Sequence, residues 1–122
     1  MIINHKEYVF KLHNQTYHCA MDVTMSYIGG KWKTVLLWYL RNQTRRFGEL
    51  KKQIPDITEK MLSLQLKALE EDGLVKREVY AEVPLRVEYS LTDFGKTLVP
   101  VIEAIAAWGR NLGETEGKLV EK

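Results

Sequence analysis

Between residues 47 and 91 the chain carries punctuation that leaves little choice of fold. Phe47-Gly48-Glu49-Leu50-Lys51-Lys52-Gln53-Ile54 has the spacing of a short helix. Pro55 stops it, because a proline pushes the residue before it out of helical geometry. Thr58 then stands at an N-cap position ahead of a longer helix, Glu59–Asp72, and Gly73 ends that helix where a left-handed residue is usual. Two alternating segments follow, Val75–Tyr80 and Arg86–Leu91, with Glu82-Val83-Pro84-Leu85 as a hairpin tip. Two helices joined by a tight turn and followed at once by a two-stranded hairpin make a winged helix-turn-helix. The predicted fold class is α+β, mostly α.

The flanks fit around that unit. Residues 1–18 are polar and aromatic without a clear period and read as an arm, with a short strand at Tyr8–Leu12. Asp22–Ile28 forms a short helix ended by Gly29-Gly30. From Lys31 to Arg41, Trp32, Val35, Leu36, Trp38, Tyr39 and Leu40 recur at helical spacing, which predicts a buried helix; Asn42-Gln43-Thr44 is a turn. Thr92-Asp93 caps a last long helix whose stripe is Phe94, Leu98, Val101, Ile102, Ile105, Trp108 and Leu112, with Pro100 expected to bend it or remove one hydrogen bond. No repeat or linker divides the chain. The predicted organisation is an arm at 1–18, a winged helix-turn-helix and dimerisation domain at 19–113, and a polar tail at 114–122.

Charge is uneven although the net value is only +2. Residues 31–67 hold nine Lys/Arg against three acids, whereas residues 68–122 hold seven against eleven. A basic middle is what a surface facing a polyanion needs, although solvated faces also carry such patches. On the longer helix, at about 100° per residue, Leu62, Leu66 and Leu69 turn inward while Lys60, Leu64, Lys67 and Glu71 turn out, with Ser63 on the flank. Lysine suits guanine edges or phosphate, serine either, and leucine a thymine methyl, so this face suits a major groove. Arg86, beside the stiff Pro84-Leu85 apex, either enters a minor groove or grips phosphate, or pairs with Glu82 or Glu88 as a solubilising charge. Arg45 and Arg46 precede the helix-turn-helix, where backbone phosphates would pass.

Trp108 is large for a small domain to hide alone, and Val99, Ala104, Ala106 and Ala107 widen the apolar surface of the last helix. A second copy meeting it at Val101, Ile105, Trp108 and Leu112 would cover that surface. A homodimer of this kind sets two reading helices one duplex turn apart on a palindromic operator. The alternative is a monomer with the helix folded flat on its own core.

Several ordered blocks then resemble the HxlR-type family of bacterial winged-helix regulators, relatives of the MarR group. Cys19 followed by Ile28-Gly29-Gly30-Lys31-Trp32 is similar to that family's opening, with Ala20 where the family has a proline. Arg46-Phe47-Gly48-Glu49-Leu50, Ile57-Thr58-Glu59-Lys60-Met61-Leu62-Ser63, Leu69-Glu70-Glu71-Asp72-Gly73-Leu74-Val75 and Arg86-Val87-Glu88-Tyr89-Ser90-Leu91-Thr92 follow its later blocks. The resemblance spans Cys19 to Gly113. It implies a dimeric DNA-binding regulator, repressor or activator, in which Lys60, Met61, Ser63 and neighbouring outward residues meet bases and Arg86 meets DNA from the wing. The full set expected against double-stranded DNA is Arg45, Arg46, Thr58, Lys60, Met61, Ser63, Leu64, Lys67 and Arg86.

Some members of that family use the matching cysteine as a redox sensor. Cys19 falls at a helix N-terminus, where the dipole favours an anion; the other reading is an inert small hydrophobe. His5, His13, His18 and Cys19 lack the paired spacing of zinc ligands, so no metal site is expected. No cofactor is expected either, and no enzyme: a phosphate-cradling glycine loop, a Gly-x-Ser-x-Gly elbow and a His-Glu-x-x-His pair are all missing. One cysteine, no membrane-length apolar run and no export signal predict a bacterial cytoplasmic protein with no membrane partner. A winged helix used only for protein contact remains an alternative. So does a small-molecule effector, lodged between the last helix and the helix-turn-helix lobe near Trp32, Trp38 and Trp108.

Overall fold

The computed structural model describes residues 2–121; Met1 and Lys122, the outer ends of the expected arm and tail, lie outside them. The arm differs from expectation. Strands β1 (Ile2–Ile3) and β2 (Lys6–Glu7) pair antiparallel around Asn4-His5, and β3 (Phe10–Leu12) and β4 (Gln15–Tyr17) pair around His13-Asn14. Asn4, His5, His13 and Asn14 all take positive φ, between 50° and 64°. Two-residue loops of this kind have the twist that antiparallel strands need, and Asn and His adopt the left-handed region more readily than most side chains. The expected single strand at Tyr8–Leu12 is therefore one half of a hairpin.

Helix α1 (Ala20–Ile28) starts two residues before the expected Asp22, with Cys19 as its N-cap. Gly30 takes φ 94°, the left-handed turn that glycine makes without a steric cost, and α2 (Lys33–Leu40) follows. Arg45–Arg46 is a short strand, β5, to which the sequence had assigned no element. Then come α3 (Phe47–Gln53), α4 (Glu59–Glu71), β6 (Val75–Tyr80) and β7 (Arg86–Leu91). The sheet runs β5-β7-β6, antiparallel throughout, so the second wing strand is central and β5 anchors it to the helical lobe.

The expected single last helix is two: α5 (Asp93–Lys96) and α6 (Val99–Glu116). The Thr92 hydroxyl accepts the Gly95 N–H at 2.9 Å and caps α5, while its own backbone N–H donates to the Leu74 carbonyl at 3.1 Å. Pro100 does not bend the helix. It lies in the first turn of α6, where no intrahelical N–H is needed and its fixed φ is already helical. Helix α6 continues three residues past the expected boundary at Gly113, so part of the expected polar tail is helical.

The core joins Leu36, Leu37 and Leu40 of α2, Leu50 of α3, Leu62, Leu66 and Leu69 of α4, Leu74 and Val75 at the base of the wing, Leu91 of β7 and Ile102 of α6. Each such leucine contributes about 1.5–3 kcal/mol by leaving water. That burial fixes the rotation of α4, and so decides which of its side chains face outward. Among the described residues no helix is long and apolar enough to cross a membrane.

Candidate nucleic-acid interface

The outward face of α4 is the first element of the site. The Thr58 side chain accepts the Met61 N–H at 3.1 Å, which closes the first turn. Leu62, Leu66 and Leu69 are buried, while Lys60, Met61, Ser63, Leu64 and Lys67 are exposed, as the helical spacing predicts. Leu64 is 52% exposed in the middle of a helix whose other leucines are hidden. Neither Lys60 nor Lys67 has an ion-pair partner among the described residues, so both charges are available to an incoming anion. Thr58 has a structural role already: one lone pair of its hydroxyl is committed to the cap.

The wing has two faces, fixed by its register. Val75, Arg77 and Val79 lie opposite Leu91, Tyr89 and Val87; Lys76, Glu78 and Tyr80 lie opposite Ser90, Glu88 and Arg86. Side chains alternate between faces along a strand, so these are the two sides of the sheet. Arg86 begins β7, as the predicted strand Arg86–Leu91 has it, and the tip before it exposes the apolar Val83 and Leu85. Its guanidinium lies 3.2 Å from Glu82 and 3.4 Å from Glu88, and 4.0 Å over the Tyr80 ring. Its Nε is buried without an acceptor among the described residues. Beside it Glu78 takes both the Lys76 ammonium at 2.6 Å and the Tyr80 hydroxyl at 2.7 Å. The hydrogen bond from Lys76 holds the Glu78 carboxyl below the usual carboxylate range, and the same contact raises Lys76.

The two arginines of β5 part company. Arg45 turns to α2: its Nε donates to the Tyr39 carbonyl at 2.7 Å and its guanidinium lies 5.9 Å from the Tyr39 ring centre. Arg46 keeps an exposed side chain, and its backbone N–H donates to Glu49 Oε1 at 2.8 Å. One cation was not singled out from the sequence. Arg77 is exposed and shares a cleft with Ser63, Lys67, Glu70 and Tyr89. Strand parity alone would have placed it on the α4 side, with Val75 and opposite Tyr89.

Away from this surface, Val101, Ile105, Trp108 and Leu112 are all exposed on α6, Trp108 at 71%. The only α6 side chain fully in the core is Ile102. An apolar groove of about 270 Å³ between α2 and α6 is lined by Thr34, Val35, Trp38, Tyr39, Ile102, Ile105 and Ala106. Of the tryptophans suggested as effector contacts, only Trp38 lines it. Lys31 lies 4.6 Å from the Trp32 ring centre, and Trp108 is placed further along α6. Cys19 is half-buried at the start of α1, and Asp22 in the first turn accepts the His18 N–H at 2.9 Å.

Residues 27–117 match the model of the HxlR-like helix-turn-helix. The chain belongs to the HxlR family. It is 50% identical over 101 residues to the HTH-type transcriptional regulator YdeP of Bacillus subtilis, covering 83% of this chain and 79% of YdeP. Among solved structures it is similar to the redox regulator HypR. The reduced form matches with a TM-score of 0.74 at 46% identity, over 77% of this chain and 93% of that one. The oxidised form matches with a TM-score of 0.74 at 44% identity, over 83% and 100%. As a member of that family, and like these relatives, the chain is a transcriptional regulator with a helix-turn-helix DNA-binding fold, and not an enzyme.

Proposed function

We propose that this HxlR-family chain binds a palindromic operator as a homodimer, in the cytoplasm, with α4 in the major groove and the wing beside it. The observation that carries this reading is the outward face of α4, where Lys60, Ser63, Leu64 and Lys67 stand exposed beside three buried leucines. Met61 extends that face. Arg46 is free to meet the backbone, whereas Arg45 reaches it only by leaving the Tyr39 carbonyl. Arg86 contacts DNA by exchanging Glu82 and Glu88, at 3.2 and 3.4 Å, for phosphate. Footprinting on the upstream intergenic DNA tests the reading. A protected palindrome is expected, with log affinity falling by about 0.9 per phosphate neutralised for each tenfold rise in salt. Folded protein that protects no site at moderate salt would overturn it.

The same reading includes a signal. Cys19 stands at the α1 N-cap, and the similar regulator HypR is solved in both reduced and oxidised forms; these support a thiol response. Cys19→Ser is expected to abolish any loss of DNA binding caused by diamide, and an unchanged response would end the idea. The α2/α6 groove is where a small apolar effector would lodge. Such an effector must bind one state of the protein better than the other to change DNA affinity.

A further inference from the structure

The hairpin β6–β7 carries three cations, Lys76, Arg77 and Arg86. Two are already neutralised: Lys76 by Glu78, and Arg86 by Glu82 and Glu88. Both lie on the sheet face turned away from α4, as the register requires. Arg77 lies on the other face, exposed, with no ion pair or hydrogen bond among the described residues. Across a cleft of about 320 Å³ it meets Ser63 and Lys67 of α4, with Tyr89 and Glu70 completing the walls. Two unpaired cations and a hydroxyl converge there, drawn from the two elements that flank a DNA strand in a winged-helix complex.

We propose that this cleft grips one backbone phosphate of duplex DNA, with Arg77 on the wing side and Lys67 and the Ser63 hydroxyl on the helix side. The inference rests on the DNA-binding reading above and adds to it a residue and a role. The phosphate locks α4 and the wing in a fixed relation to the duplex, and so sets the depth at which Lys60 and Leu64 meet the bases. A fork of guanidinium donors suits a phosphate oxygen pair better than a point charge does. Glu70 opposes the anion, which makes its removal informative. Tyr89, nearly buried and paired across the ladder with Arg77, holds the arginine's strand at a fixed distance from the core.

The test measures operator and scrambled-sequence affinities across a salt series for wild type, Arg77→Gln, Arg77→Lys and Glu70→Gln, with Glu103→Gln on α6 as the control for net charge. Arg77→Gln is expected to weaken both DNAs alike, by about tenfold, and to lower the salt slope by about one. Arg77→Lys is expected to keep the slope and lose part of the affinity. Glu70→Gln is expected to tighten binding more than Glu103→Gln does. A methylphosphonate at the clamped position is expected to weaken wild type but not Arg77→Gln. Wild-type binding with an Arg77→Gln variant unchanged in affinity and slope would overturn the clamp and leave the DNA-binding reading intact. A variant that changes base preference instead would overturn the phosphate assignment. Wild type that binds no DNA would overturn both.

Discussion

Thr58 shows how one side chain fixes the fold beneath the proposed DNA-binding face. Its oxygen satisfies the Met61 N–H at 3.1 Å, in the turn that also presents Lys60 and Ser63. Thr58→Ala should cost about 1 kcal/mol, read as a fall of about 3–6 °C in Tm by circular dichroism. Thr58→Ser should restore most of it, because only the hydroxyl is used. Gly95 is the harsher case. A Cβ there would collide with the Leu74 carbonyl, so α5 sits against the base of the wing only because position 95 lacks a side chain. Gly95→Ala should cost about 1–3 kcal/mol in urea unfolding, since the obstacle is backbone and cannot rotate aside. An alanine variant as stable as wild type would mean that α5 can shift from the wing and admit the methyl group.

At the level of elements, α4 separates its packed face from the face proposed to read DNA within one turn. Leu66→Ala empties a fully buried site and should cost about 2–5 kcal/mol. Leu64→Ala should stay within about 0.5 kcal/mol of wild type yet weaken operator binding, so chemical denaturation and gel shift together distinguish the two leucines. Helix α4 and the wing strands were legible in the sequence because their signals are local: a cap at Thr58, a stop at Gly73 and alternation in β6 and β7. Strand β5 was not, since two residues become a strand only by pairing with β7, distant in sequence. The hairpins near the N-terminus were missed because their turns use Asn-His and His-Asn in place of the stronger asparagine-glycine signal. Pro100 was expected to bend one continuous helix or remove one of its hydrogen bonds because the real break, the turn at Thr97-Leu98 between α5 and α6, carries no glycine to mark it. In the interface, the face of α4 could be read from helical spacing alone. The partners of Arg86 could be offered only as alternatives, because they depend on where a hairpin brings Glu82 and Glu88.

For the whole molecule the governing fact is that α6, 18 residues long, buries only Ile102 completely. Val101, Ile105, Trp108 and Leu112 recur at intervals of four, three and four, the near-3.5 period with which one helix meets another along a seam. Isolated apolar side chains at a surface are ordinary, but a continuous line that includes a tryptophan points to a partner. In the proposed dimer, joining two copies there would make the second half-site contact intramolecular, worth about 10²–10⁴ in affinity without any new DNA contact. The double variant Ile105→Glu with Trp108→Glu should therefore sediment as a folded monomer, because both side chains are already exposed in the single chain. It should lose at least about 10²-fold on the full palindrome and keep wild-type affinity for an isolated half-site. A variant still dimeric by sedimentation would move the seam off α6. A monomeric variant with undiminished palindrome affinity would leave the dimer seam in place and remove the symmetry argument for how the operator is read.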